Sequence, residues 1–357
     1  MKIGILTFHC AHNYGAVLQA YGLQEYLKNI GHEVYIIDFR PSYITNGYQK
    51  FSKFYWLDKK PGILLKKIKT EPLIFIQRYL RWKSFNSFIN KRMNLSPLQN
   101  LNKYNFDAII VGSDQIWNSK ISNGKFEDIY FGQGANCIKI SYAASSRSRI
   151  LTSYEKEYYI QHLPQFKAIS VRENSLKELL QPLVNTPIQT TLDPTLLAGA
   201  NIFANISTKF KKKNFILLYE VEEHPDAYRI AKSLKNQLRT TLIELVAPLS
   251  VKRLFKKNQT ASPEDFIGYI QNAACIVTSS FHGVALSILF NKPFYALRQN
   301  TDADLRTESL LNMLKLEDRF INLNSTPCFS SIDYTVPNVY LANEREKSII
   351  FLKEALS

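Results

Sequence analysis

The sequence predicts an α/β protein built as two Rossmann-like domains facing a cleft. Short apolar runs that end in small or polar residues recur along the chain, helical segments separate them, and 357 residues suffice for about two cores at roughly 100 to 200 residues each. With 45% hydrophobic and 21% charged residues, a mainly disordered chain is excluded.

The opening reads as strand Lys2 to Phe8, polar loop His9 to Asn13, helix Gly15 to Ile30 and strand Glu33 to Phe39. Val17, Leu18, Tyr21, Leu23 and Leu27 fall near one helical face, as a helix lying on a parallel sheet requires, and Gly31 is the expected stop. Residues 41–95 then break the pattern. Twelve Lys or Arg and two Asp or Glu stand between Lys50 and Arg92, so this stretch reads as an insertion of basic, aromatic-rich helices. Strand runs resume at Phe106 to Gly112, Ile138 to Ala144 and Ala168 to Arg172, and Thr191 to Thr195 reads as a crossing between domains. The second set is strand Asn214 to Glu220, helix Asp226 to Gln237, strand Thr241 to Val246, helix Pro263 to Asn272, strand Ala274 to Thr278, helix His282 to Phe290 and strand Pro293 to Leu297. We therefore expect an N-terminal domain over 1–190 carrying the insertion, a C-terminal domain over 191–335, and a segment 336–357 that packs back as a helix on the first.

A net charge of +15 favours anionic partners such as nucleic acid, phosphorylated metabolites or an anionic membrane face, without choosing among them. Cys10, Cys137, Cys275 and Cys328 are far apart in sequence and form no metal-ligand spacing. The apolar start is too short for a secretory core and no run reaches the roughly 18 apolar residues of a membrane span. A cytoplasmic protein without a metal is the expectation.

The richest segment for chemistry runs from Ala274 to Leu286: a buried strand delivers Ser279, Ser280, His282 and Gly283 to a helix start, where free N–H groups favour an anion. The plainer reading is a serine cap and a packed histidine. Arg172 ends a strand, where its planar fork suits a carboxylate or phosphate; a salt bridge with Glu173 or another acid is the alternative. Asn13, Tyr14 and Gly15 offer a second helix start but lack the glycine spacing of a dinucleotide site, so no NAD is indicated. Asp114, Gln115, Trp117 and Asn118 place an acid, two amides and an indole in one loop, a mixture that suits a sugar or a satisfied turn.

Taken in order, Asn13-Tyr14-Gly15-Ala16-Val17-Leu18-Gln19-Ala20-Tyr21, Val111 to Asn118, Ser141 to Ser145, Ser170-Val171-Arg172-Glu173, Leu192-Asp193-Pro194-Thr195, Thr278 to Gly283, Asn291-Lys292-Pro293-Phe294 and Leu305-Arg306 resemble the polysaccharide pyruvyltransferases over about residues 1 to 320. The resemblance implies a fold like the B-type glycosyltransferases and transfer of the pyruvyl group of phosphoenolpyruvate to two hydroxyls of a glycan as a cyclic ketal, with no nucleotide sugar, cofactor or obligatory metal. It places His282 at the family's catalytic histidine and Arg172 at its donor-anion arginine. Asp114, on the chemistry of the step rather than on the resemblance, is a lesser candidate to receive a proton from an acceptor hydroxyl, the alternative being that it caps or holds its own loop. Some branches have Arg-Leu-His where this chain has Ser280-Phe281-His282, so Arg298 or Arg306 is expected to supply that charge beside Ser279, Ser280 and Gly283. Asn13, Tyr14, Gly15, Gln19, Gln115, Trp117 and Asn118 are the expected acceptor side.

A capsule-building enzyme often meets its acceptor on a lipid pyrophosphate, so peripheral contact of the basic insertion with the anionic inner face of the cell membrane is a further expectation; the alternative is that these helices pack their apolar side on the N-terminal domain and leave their lysines in water. Two other functions fit less of the sequence. A nucleotide-sugar glycosyltransferase would share the architecture. A non-catalytic nucleic-acid binder would explain the charge but leave the loop residues of both domains without a role.

Overall fold

Fully apolar runs alternating with helices become two parallel sheets. The computed structural model describes residues 1–48, 61–101, 105–221, 223–246 and 258–357. Residues 49–60 of the expected basic insertion, and the side chains of 61–74 and 100, lie outside the described set.

Among the described residues, β1 (Lys2–Leu6), β2 (Glu33–Asp38), β3 (Leu95–Pro97), β4 (Ala108–Val111), β5 (Ile138–Ala144), β6 (Ala168–Val171) and β7 (Ile188–Thr190) form one sheet in the order β3-β2-β1-β4-β5-β6-β7. The second sheet, β12-β11-β10-β8-β9, contains β8 (Phe215–Glu220), β9 (Thr241–Val246), β10 (Ala273–Thr278), β11 (Phe294–Arg298) and β12 (Phe320–Asn322). The helices are α1 (Tyr14–Asn29), α2 (Ser42–Thr45), α3 (Pro61–Arg92), α4 (Ser153–His162), α5 (Asn174–Leu180), α6 (Pro194–Ala198), α7 (Ala200–Ala204), α8 (Pro225–Gln237), α9 (Pro263–Asn272), α10 (Phe281–Leu289), α11 (Asp304–Leu314) and α12 (Thr335–Leu356).

Each sheet reverses its direction of growth once, between β1 and β4 in the first and between β8 and β10 in the second. Loops at the carboxyl ends of strands flanking such a reversal diverge to opposite faces and leave a crevice. Central strands are buried throughout: β4 reads Ala-Ile-Ile-Val and β8 Phe-Ile-Leu-Leu-Tyr-Glu with no exposed position, the pattern of a sheet covered on both faces. Side chains alternate as the pleat demands, so Ile3 and Ile5 join an apolar core lying between the sheets while Leu6 joins the outer layer of the first. That inner core is continuous from β1 and α1 through Phe215, Phe266 and Leu286 to Phe351 of α12.

The three-residue edge strands β3, β7 and β12 and the helix α4 go beyond the sequence expectation. Strands that short carry no readable alternation, and β3 contains Pro97 in the only kind of strand that tolerates it, an edge. The expected group of basic helices includes one continuous 32-residue helix, α3. Its C-terminal half buries Phe85, Phe88 and Ile89, and the Arg81 guanidinium donates to His12 O at 2.8 Å on one side and Gln259 O at 3.2 Å on the other. The C-terminal α12 is fastened to the crossing segment: Ser348 Oγ accepts from Leu192 N at 2.9 Å and Arg345 donates to Leu196 O at 2.8 Å. Among the described residues no helix is long and apolar enough to cross a membrane.

Candidate functional site

Both reversal points open into the same cleft, about 450 Å³ in volume. Phe8 and Asn13 follow β1, Asp114 and Gln115 follow β4, Val221 follows β8, and Ser279 to His282 follow β10; Arg147 from the end of β5 and Arg306 from α11 complete the polar lining. The volume falls in the ordinary range for a small-molecule site, roughly 300 to 1,000 Å³.

His282 sits on the first turn of α10, which Ser280 caps by accepting from Gly283 N at 3.4 Å. Its ring lies against α1 so closely that a Cβ on Gly15 would stand 1.9 Å from His282 Nδ1. Gly15 is therefore a seat for the histidine rather than a ligand contact. Asn13 caps α1 through Gly15 N at 2.9 Å, so the two helix starts meet at the imidazole. His282 Nε2 faces the Asp193 carboxylate at 3.4 Å, and the same Oδ2 accepts from Arg172 Nη1 at 2.5 Å. The other Asp193 oxygen accepts from Thr195 N and Thr195 Oγ1 at 2.9 and 2.7 Å. Burial alone would raise the Asp193 pKa, but His282, Arg172 and the Thr195 N–H together hold it well below the carboxylate range.

Asp193 is the site residue that the sequence reading missed. It stands in the Leu192-Asp193-Pro194-Thr195 motif, which reads as a helix cap in a crossing segment, and it does cap α6. Its second role arises only because β6 and α10 bring Arg172 and His282 to the same carboxylate.

Arg172 realises the salt-bridge alternative, with Asp193 rather than Glu173 as its near partner; Glu173 Oε2 and Asp114 Oδ1 lie 3.9 Å away. It opens into a narrow recess behind Phe281, not into the main cleft, and its guanidinium stacks 4.7 Å from the Phe281 ring centre. Burial opposes its charge, yet Asp193, Glu173 and Asp114 raise its pKa, while burial pushes the Glu173 carboxyl up. Arg306 stacks on the same ring and lies 4.0 Å from Asp114. Burial, then the neighbouring Arg172, lowers its pKa to about 10. Asp114, at φ 65°, is thus held between two guanidiniums and also accepts from Gln115 N at 2.9 Å. Ser279 Oγ, His282 Nε2, Arg306 Nε, and Arg172 Nε and Nη2 are buried without a hydrogen-bond partner. Such orphans are rare in a folded interior, and here they gather at one place.

Several expected contacts lie elsewhere. Arg298 pairs with Glu308 at 3.3 Å and stacks on Phe320 outside the cleft lining. Gly283 packs on the Thr278 side chain. Tyr14 is fully buried and donates to Ala261 O at 2.9 Å, Gln19 donates to Thr7 Oγ1 at 2.8 Å, and Trp117 donates to Tyr130 O at 3.0 Å while stacking on Phe131. Asn118 caps a short turn and donates to Gln115 Oε1 at 2.9 Å. These side chains have the sugar-like mixture of polarity for a different reason: each satisfies buried backbone or a neighbour. Of the expected acceptor side, Asn13 and Gln115 line the cleft, joined by Phe8, Tyr43, Ile44 and Tyr48 as an apolar and aromatic wall. Among the described residues no group of three or more His, Cys, Asp or Glu is placed to hold a metal ion.

The family model for polysaccharide pyruvyl transferase matches residues 13–301, a span that contains the cleft residues from Asn13 to Gln299. No curated protein matches the chain. Among solved structures, the chain is similar to a UDP-GlcNAc 2-epimerase from Methanocaldococcus jannaschii (12% identity, 100% of this chain and 93% of that one, TM-score 0.45). It is also similar to a UDP-N-acetylglucosamine 2-epimerase from Rickettsia bellii (10%, 100% and 97%, 0.42) and to the E. coli heptosyltransferase solved with ADP (12%, 98% and 100%, 0.40).

Proposed function

The chain belongs to the polysaccharide pyruvyl transferase family, and from that membership we propose that it moves the pyruvyl group of phosphoenolpyruvate onto two hydroxyls of a sugar in a bacterial surface polysaccharide or its lipid-linked precursor. The product is a cyclic ketal and the leaving group is phosphate. The observation that carries this reading is His282, backed by the buried Asp193 carboxylate, opening on the same cleft as Arg306 and the α10 start.

In this reading His282 gives a proton to the methylene carbon of the donor, and cationic character develops at the adjacent carbon. One acceptor hydroxyl adds there and releases its proton to Asp114 or His282. The carbon–oxygen bond to phosphate then breaks with its electron pair leaving on phosphate, and the second hydroxyl closes the ketal. Of the two hydroxyl protons, one ends on the new methyl group and one on phosphate. A positioned acid or base contributes roughly 10²- to 10⁴-fold, and an imidazole is the side chain most often used to give and take a proton. Asp193 orients the ring and supplies its counter-charge. Ser279, Ser280, Arg306 and, from behind Phe281, Arg172 serve the donor end, while Asn13, Gln115 and the Tyr43 and Tyr48 wall serve the sugar, whose apolar face stacks on aromatics.

Calorimetric titration of phosphoenolpyruvate, with UDP- and CMP-sugars as comparators, tests the reading. We expect selective phosphoenolpyruvate binding that weakens in Arg172→Ala, and loss of turnover in folded His282→Ala. Binding of a nucleotide sugar alone would make the protein a glycosyltransferase instead. Contact with an anionic membrane is part of the same proposal: α3 exposes Phe75, Ile76 and Leu80 in a basic stretch, as interfacial helices do. Flotation with anionic liposomes should show salt-sensitive binding.

A further inference from the structure

Arg147 and Arg306 approach the cleft from opposite halves of the molecule. Arg147 lies on the loop that leaves β5 of the first sheet, and Arg306 on α11 after β11 of the second. The two loops are pinned to each other: Arg149 Nε meets Asp302 Oδ1 at 3.2 Å, and Lys120 Nζ meets Asp302 Oδ2 at 3.8 Å. Arg147 is two residues from one end of that bridge and Arg306 four from the other, and both side chains line the cleft.

Their charge is less engaged than that of Arg172. Arg172 has Asp193 at 2.5 Å, two further carboxylates at 3.9 Å, and sits behind Phe281. Among the described residues Arg306 has one carboxylate within 4.0 Å, that of Asp114, and its buried Nε has no hydrogen-bond partner. Arg147 has no ion-pair partner among the described residues. Arg147 also weighs on Arg306: it is among the charges that lower the Arg306 pKa, after burial and Arg172. Two like charges facing one cleft, with the Asp114 carboxylate beside only one of them, favour an anion between them, and a phosphate monoester near neutral pH carries close to two negative charges and three acceptor oxygens. Ser279 Oγ, also unpartnered, lines the same cleft.

We infer that Arg147 and Arg306 together clamp the phosphate of the donor across the boundary between the two sheets. This rests on the pyruvyl-transfer reading and adds to it a residue, Arg147, and an orientation of the donor. The clamp acts where it matters for the chemistry: when the carbon–oxygen bond breaks, the electron pair passes to the phosphate, and two guanidiniums neutralise it as it leaves. Arg172, already balanced by Asp193, is left to the other end of the donor.

The test is calorimetry of phosphoenolpyruvate, inorganic phosphate and pyruvate with wild type, Arg147→Ala, Arg147→Lys and Arg306→Ala. We expect phosphoenolpyruvate and phosphate to bind about ten- to a hundredfold more weakly in Arg147→Ala, the scale of a lost charge-assisted hydrogen bond. Pyruvate should bind as it does to wild type, and Arg147→Lys should recover part of the loss because lysine keeps the charge but not the fork. Arg306 is buried, so a misfolded Arg306→Ala leaves the partly exposed Arg147 to decide. Unchanged phosphoenolpyruvate affinity in Arg147→Ala overturns the clamp while the transferase reading stands. Loss of pyruvate rather than phosphate binding overturns it by assigning these arginines to the carboxylate. Failure of wild type to bind phosphoenolpyruvate removes the reading and the clamp together.

Discussion

His12 stacks between Tyr48 and Phe85, with ring centres 5.2 Å from each. Burial first, then Arg81 and Arg40, holds its pKa at about 3. The folded protein therefore keeps this ring neutral while the unfolded chain, with a pKa near 6.5, takes up a proton. A depressed histidine contributes stability that is fully present above the unfolded value and is lost as pH falls toward the folded one. Between about pH 6.5 and 3 the loss should approach 1.4 kcal/mol per pH unit. Urea unfolding across that range should show the slope in wild type, and His12→Gln should flatten it. At this same scale the sequence was informative about residue type and weak about partners. His282 and Arg172 were legible because each sits where a strand ends. Asp193 was not, since its 21-residue separation from Arg172 is closed only by the fold. Trp117 and Tyr14 show the converse, because an aromatic side chain with one polar atom looks the same in a sugar site and in a core until burial is known.

At the scale of elements, two helix starts and one long helix hold the site. The α1 and α10 starts meet through the Gly15 and His282 pair, so Gly15→Ala tests the seat without touching the histidine. Alanine is the better helix former by roughly 0.5 to 1 kcal/mol, but its Cβ would stand 1.9 Å from the ring and the imidazole must move. The expected result is a kcat lower by about 10²-fold or more, with phosphoenolpyruvate affinity changed only a few-fold, measured as donor-dependent phosphate release. The α3 helix makes a different contribution. Arg81 is buried, reaches backbone carbonyls of both halves and lies over Tyr14 and Phe85. Arg81→Met keeps much of the apolar stem and removes the guanidinium's buried hydrogen bonds to both halves, which should cost on the order of 3 kcal/mol in urea unfolding. Strands and capped helices were readable from pattern, since β1, β4, β8 and β10 are continuous apolar runs. The continuity of α3 was not, because its basic positions spread around the helix and blur the stripe that marks one buried face.

For the whole molecule, the parallel pattern foretold two α/β sheets and a cleft between them, whereas the ion pairs that join the loops at the cleft rim are exposed charges that no periodicity reports. Asp302 is the clearest of these, bridging to Arg149 and Lys120 across the cleft rim with side chains 37%, 60% and 68% exposed. Exposed pairs add little to stability, about 0 to 1 kcal/mol, so the bridge matters for register rather than for folding. Asp302→Lys would place a third cation against Arg149 and Lys120 and push the two loops apart. Unfolding should then stay within about 1 kcal/mol of wild type, while the KM for phosphoenolpyruvate rises several-fold at low salt. Raising the ionic strength toward 1 M shortens the screening length to about 3 Å and should weaken both the native bridge and the new repulsion, so the KM values of variant and wild type should converge. A variant KM that stays apart from wild type at every salt concentration would mean that Asp302 acts by shape and not by charge.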